Sequence, residues 1–82
     1  VCFAYLKKVD LEQNQFRFYT IAVVPTLFGE WAVVREWGRL GQAGTVREIG
    51  FDTEAEARAV GIKLQKRKER RGYRVIAPIH RP

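Results

Sequence analysis

Up to residue 52 this chain carries short apolar and aromatic runs separated by turn residues, and from residue 53 one segment places its apolar residues every three to four positions. A period of two belongs to strands and a period of 3.6 to a helix, so the chain reads as several strands and one helix. In residues 2–9, Phe3, Tyr5 and Val9 share one parity and Cys2, Ala4 and Leu6 the other. Asp10 to Gln15 is a polar turn, and residues 16–24, rich in aromatic and β-branched side chains, form a second strand that Pro25 ends. The short turn between them makes the pair an antiparallel hairpin. In residues 30–37, Trp31, Val33, Arg35 and Trp37 fall on one face, and Ala32, Val34 and Glu36 on the other. Gly38, Gly41 and Gly44 mark a loop, and residues 45–51 a fourth strand, with Ile49 and Phe51 on one face and Val46 on the other. Residues 73–77 give a short last strand, and Pro78 to Pro82 a tail. The order β-β-β-β-α-β predicts an α+β fold, an antiparallel sheet with one helix packed across it. At 82 residues, the domain expected is a single one over 1–77, with a flexible tail over 78–82.

The helix has clear ends. Thr53 with Glu56 three residues on matches a capping box, Asp52 and Glu54 suit the positive end of the helix dipole, and Gly72 is a stop. Ala57, Val60, Gly61 and Leu64 follow the spacing of a buried stripe. At about 100° per residue, Lys66, Arg70, Lys63 and Arg67 fall on the flank away from that stripe. Like charges three and four residues apart destabilise an isolated helix, which favours a binding face over a merely solvated one.

Charge follows the same division. Residues 1–57 hold six basic against eight acidic groups, a net −2; residues 58–82 hold nine against Glu69 alone, a net +8. The formal +6 of the whole chain therefore lies in its last third, and a polyanion is the partner to expect. Nucleic acid comes first and an acidic membrane surface second, the alternative being a helix face that only keeps the chain soluble. No apolar run approaches the ~20 residues of a membrane span, and no signal-peptide pattern opens the sequence. One cysteine, Cys2, cannot form an intrachain disulfide and fits a reducing compartment or indifference to redox.

The most informative stretch is Glu36-Trp37-Gly38-Arg39-Leu40-Gly41-Gln42-Ala43-Gly44. Trp37 and Arg39 project to one side of a continuing strand, and Gly38 between them admits close approach of another backbone. An indole stacks on a base or sugar; a guanidinium pairs with a phosphate. The alternative is that Trp37 belongs to the core and Arg39 pairs with a neighbouring acid.

The run Trp37-Gly38-Arg39-Leu40-Gly41, then Gly44, Phe51, Glu54 and Ala55 opening a basic helix, and then Gly72-Tyr73, closely resembles the WGR domain, named for its Trp-Gly-Arg motif. The likeness runs from the first strand to Tyr73. It implies the antiparallel sheet and packed helix already read from the periodicity. WGR domains are best known from DNA-damage-dependent poly(ADP-ribose) polymerases, where they bind DNA at a strand break and relay that binding to a catalytic domain. The resemblance implies that Trp37 stacks on the nucleotide at the break and that Arg39 binds DNA or a neighbouring domain. By the same likeness Tyr73 lies near the terminal phosphate, and the helix supplies cations to the backbone, here Lys63, Lys66, Arg67 and Arg70. One departure is Thr45, where many members carry Gln. No ADP-ribosyltransferase domain is present in these 82 residues, and the compact form is similar to stand-alone bacterial members, which points to the bacterial cytoplasm or nucleoid.

Enzyme readings find little support. His80 lies in the tail, Cys2 opens a strand, and no Cys/His cluster has metal-ligand spacing. Gly38 to Gly44 lacks the Gly-Lys-Ser/Thr ending of a phosphate-binding loop. The reading is a non-catalytic, monomeric DNA-binding module without a cofactor. RNA is a possible ligand, since neither stacking nor phosphate pairing distinguishes the sugars. The competing reading is a protein-interaction module that docks another domain through the Trp-Gly-Arg surface.

Overall fold

The computed structural model describes residues 2–77. Its elements are β1 (Cys2–Asp10), β2 (Gln15–Pro25), β3 (Trp31–Arg39), β4 (Thr45–Phe51), α1 (Glu54–Arg70) and β5 (Arg74–Ala77). The expected order and all five strands are observed; the tail expected over 78–82 lies outside the described residues. The strands form one antiparallel sheet in the order β4-β3-β2-β1-β5, so β4 and β5 are its edges.

Helix α1 crosses one face of this sheet. Leu6, Ile21, Val23 and Val33, all fully buried, meet Ala57 and Leu64 from the helix, with Val60 partly buried beside them. Leu6 and Val33 belong to faces read from the sequence, no face was assigned to Ile21 and Val23, and the helix residues are the predicted stripe. Burial of each large aliphatic side chain contributes about 1.5–3 kcal/mol, so this single layer carries most of the apolar stabilisation.

The helix ends are made as the sequence implies, with one difference. The Thr53 hydroxyl oxygen accepts from the Glu56 N–H at 3.2 Å. The Glu56 carboxylate then accepts from the Thr53 hydroxyl at 3.0 Å, in place of the backbone N–H that completes a capping box. At the other end Gly72 has φ +95°, its N–H reaches the Glu69 carbonyl and the Tyr73 N–H reaches the Lys68 carbonyl, both at 3.0 Å. This is a Schellman ending, and it turns the chain so that Tyr73 folds back against the sheet.

Candidate nucleic-acid interface

Cross-strand register decides what stands beside what. On the helix-covered face, Leu6, Tyr19 and Trp37 form one row across β1, β2 and β3. The next row towards the β1–β2 turn is Lys8, Arg17 and Arg39. Adjacent strands lie about 4.8 Å apart, so three cations stand side by side with no acid between them. Like charges directly opposite each other destabilise a sheet. Of this row Arg17 and Arg39 are exposed, while Lys8 is half-buried beside Gly72 and Tyr73 at the end of α1, whose last turn brings Lys68 over the Tyr19 ring.

The aromatic side chains form a connected set. Tyr19 stacks on Trp37 with ring centres 5.9 Å apart and planes 18° from parallel. Tyr73 meets Tyr19 edge-on at 6.1 Å. Cations lie over these rings: the Lys68 Nζ is 4.7 Å from the centre of Tyr19 and 5.8 Å from that of Tyr73. The Lys8 Nζ is 6.0 Å from Tyr73, and the Arg35 guanidinium is 5.5 Å from Trp37. Arg35 also donates to the Tyr19 hydroxyl at 3.5 Å. Each such contact contributes about 0.5–1 kcal/mol at an exposed site and fixes the cation against a flat surface.

Two adjoining cavities open here. The first, about 240 Å³, is lined by Asn14, Gln15, Phe16, Arg17, Trp37, Gly38, Arg39 and Tyr73. The second, about 210 Å³, is lined by Lys8, Gln15, Arg17, Lys68, Arg71 and Tyr73. They share Gln15, Arg17 and Tyr73, and no acidic residue lines either. The first carries three aromatic rings and two arginines, and the second is mainly cationic, so flat rings lie next to a concentrated positive charge.

Lys68 sits within this positive charge. Burial pushes its amino group below the ordinary lysine value, and Arg71, Arg35, Arg67 and Lys8 push it further the same way. Lys68 is thus held among four cations and, among the described residues, pairs with no carboxylate; an incoming anion would relieve that repulsion.

Trp37 stands at the edge of the core and of the first cavity. Its indole is half-buried, packed on Tyr19 at the rim of the core, and it also lines the first cavity. Arg39 is exposed, with its guanidinium 5.7 Å from the Phe16 ring, and pairs with no acid among the described residues. Gly38 admits a backbone approach, and the approaching backbone is the chain's own. A Cβ there would stand 3.1 Å from the Gly44 Cα. Gly44 is tighter still: a Cβ would meet the Trp37 carbonyl oxygen at 2.5 Å and Phe18 at 2.8 Å. The Glu36 carboxylate holds this loop by accepting the Gly44 N–H at 3.2 Å. The two glycines therefore let the β3–β4 loop fold behind Trp37, which fixes where the indole and Arg39 stand.

The sequence-predicted residues separate into two groups. Trp37, Gly38, Arg39 and Tyr73 come together around the first cavity. Lys63, Lys66, Arg67 and Arg70 come together as well, but they line a different depression, of about 280 Å³, on the outer flank of α1. Lys8, Arg17, Lys68 and Arg71 were missed. A signal existed for three of them. Lys8 continues the parity of Ala4 and Leu6, and Arg17 that of Tyr19, Ile21 and Val23. Lys68 falls about 20° from Ala57 around the helix, on the apolar stripe itself. A cation that prolongs an apolar face points into the site, whereas one on the opposite flank does not.

Among the described residues no three His, Cys, Asp or Glu side chains are grouped as a metal site, and no helix is long and apolar enough to cross a membrane. His80 lies outside the described residues.

A small antiparallel sheet with one helix, carrying aromatic rings and unpaired cations at one end, defines a binding module. The chain belongs to the WGR domain family, whose model matches residues 2–78. The WGR domain is a module for binding nucleic acid or protein and not a catalytic domain. The chain is also similar to the uncharacterised protein y4dW of Sinorhizobium fredii (strain NBRC 101917 / NGR234), with 34% identity over 70 residues. That match covers 85% of this chain and 34% of the relative, so the chain spans about a third of the length of that protein. No solved structure matches the chain.

Proposed function

We propose that this chain is a non-catalytic nucleic-acid-binding module that takes DNA at ends, nicks or breaks. The observation that carries the reading is the convergence of Lys8, Arg17, Arg39, Lys68 and Arg71 on the Trp37–Tyr19–Tyr73 rings, with no acid lining either cavity. Trp37 offers a ring edge and partial face to an unstacked nucleotide, which only a strand end or a break exposes in duplex DNA. Arg17 and Arg39 hold the adjoining phosphates by charge-assisted hydrogen bonds. Lys68 and Arg71 extend the cationic surface past Tyr73. Lys63, Lys66, Arg67 and Arg70 add a weaker field on the outer helix flank. The preference for DNA rests on the likeness to the DNA-dependent members of the family; the geometry supports a polyanion with an exposed ring.

The test is a fluorescence-anisotropy panel of blunt, nicked and continuous duplex DNA and single-stranded DNA and RNA across a salt series. Five phosphate contacts give a slope of log K against log salt of about −4 to −5 on duplex DNA. Tighter binding to ended and nicked duplex than to continuous duplex is expected. No binding to any of these ligands at low salt would overturn the proposal, and it would favour docking of a protein through the same surface.

A further inference from the structure

A second surface lies at the far end of the sheet and on its other face. The β2–β3 connection, Thr26 to Glu30, is a fixed turn. The Thr26 N–H donates to the Glu30 carbonyl at 2.8 Å, and the Thr26 hydroxyl oxygen accepts from the N–H groups of Phe28 and Glu30 at 3.3 and 3.2 Å. Gly29 supplies the one left-handed residue, at φ +80°. This turn holds Leu27 and Phe28 out in solvent, 97% and 87% exposed, the two most exposed large apolar side chains described.

Leu27 and Phe28 wall a groove of about 680 Å³, floored by Ala32 and Gly50 and flanked by the carboxylates of Glu30 and Glu48. A Cβ at Gly50 would meet nothing within 4 Å, so the space above the strand is open. Among the described residues neither Glu30 nor Glu48 has an ion-pair partner. Ala32, Glu48 and Gly50 lie on the face opposite Trp37, because their parity is the other one. Along β2 the groove begins seven residues beyond Arg17, roughly 23 Å away at 3.3 Å per residue. Glu48 and Gly50 belong to β4, an edge strand with one side of its backbone unpaired.

We infer that the groove between the β2–β3 turn and the β4 edge docks an extended segment of another protein, apolar at alternate positions and carrying Lys or Arg between them. Charge complementarity selects this occupant. Two unpaired carboxylates repel the phosphates of nucleic acid or an acidic membrane and attract a basic side chain. The free edge of β4 offers backbone hydrogen bonds to a strand laid alongside it. Leu27 and Phe28 then cover its apolar side chains. This inference does not rest on nucleic-acid binding at the Trp37 end.

The experiment is selection of a displayed random-decapeptide library against the whole chain, followed by titration of synthesised winners into ¹⁵N-labelled protein. Enriched peptides should alternate apolar residues with Lys or Arg and shift the amides of Phe28, Ala32, Glu48 and Gly50. Leu27→Ser with Phe28→Ser should weaken them at least tenfold, and Glu30→Gln with Glu48→Gln about fivefold. All four side chains are exposed, so these variants should fold. DNA affinity should stay within twofold in both, which keeps this test separate from that of the proposed function. Absence of enrichment, acidic winners that shift Arg17 and Arg39 instead, or winners unaffected by both double variants would overturn the inference. So would a concentration-dependent dimer abolished by Leu27→Ser and Phe28→Ser, since the occupant would then be a second copy.

Discussion

Helix α1 carries two sets of cations that differ in what surrounds them. Lys63, Lys66, Arg67 and Arg70 stand on its outer flank, over solvent, around a depression they alone line. Lys68 and Arg71 stand at its sheet-facing end, where Lys68 lies over two tyrosine rings and shares a cavity with Lys8 and Arg17. The outer set is a diffuse field, screened within about 8–10 Å in physiological salt. Within the inner set Lys68 is partly desolvated and lies over rings, and the cavity it shares with Arg71 adjoins the one lined by Trp37 and Arg39. Both sets contribute to a basic pI, but only the inner one adjoins the aromatic rings. Total charge therefore says less about a binding surface than where each cation falls relative to the apolar faces.

The largest expected effect of breaking this contrast is in Arg17→Ala with Arg39→Ala. Hydrogen bonds to charged groups contribute about 1.5–3 kcal/mol each, so affinity for nicked duplex should fall by roughly 100-fold or more, and the salt slope should flatten by about two. Titration at two salt concentrations checks both. Trp37→Ala comes next. Loss of base stacking at about 1–3 kcal/mol implies roughly a tenfold weakening on ended DNA, with less change on continuous duplex. Because the indole also caps the core, its thermal unfolding should be recorded alongside.

Gly44→Ala separates positioning from contact. Its Cβ would collide with the Trp37 carbonyl oxygen and the Phe18 ring, so the loop behind the Trp-Gly-Arg segment must shift. Destabilisation of about 1–3 kcal/mol is expected by denaturant titration, with weakened end preference, although Gly44 lines neither cavity.

Lys68 gives the smallest and most specific effect. Its pKa is lowered, by burial first and then by Arg71 and the other neighbouring cations. A bound polyanion favours the charged form and raises that pKa, so binding takes up a proton. Affinity should be highest below the depressed value and fall as pH rises through it towards 10.5, more steeply than in Lys68→Gln. The folded state alone behaves in the opposite sense. The unfolded chain holds this proton longer, so the lysine's contribution to stability improves over the same rise in pH. Affinity and stability measured in parallel at pH 8 and pH 10 would expose the sign of each.

Much of this was legible in the sequence because the strands and the helix have recognisable patterns and breaks, although Gly38, read as opening a loop after residue 37, lies within β3 and pairs with Phe18. Thr53 and Gly72 fixed the helix, and Pro25 closed β2 where expected. The Trp-Gly-Arg segment was visible as a motif, yet the reason for Gly38 was not. Its partner is Gly44, and only the folded loop shows that the two backbones touch. Lys8 and Arg17 were harder to see because register, not spacing, brings them to Arg39: the three are far apart in the chain and adjacent only once β1, β2 and β3 pair. The outer helix cations were easier to pick because four of them share one flank, and that visibility does not make them the centre of the site.

The most direct measurement compares two double variants, Arg17→Ala with Arg39→Ala and Lys63→Ala with Lys66→Ala, by fluorescence anisotropy on nicked and continuous duplex across a salt series. Both remove two exposed cations. The first should abolish the preference for the nick and lose roughly 100-fold in affinity, while the second should lose about threefold on both ligands and keep the preference. Equal losses, or a larger loss from the outer helix pair, would contradict the assignment of binding to the Trp37 end of the sheet.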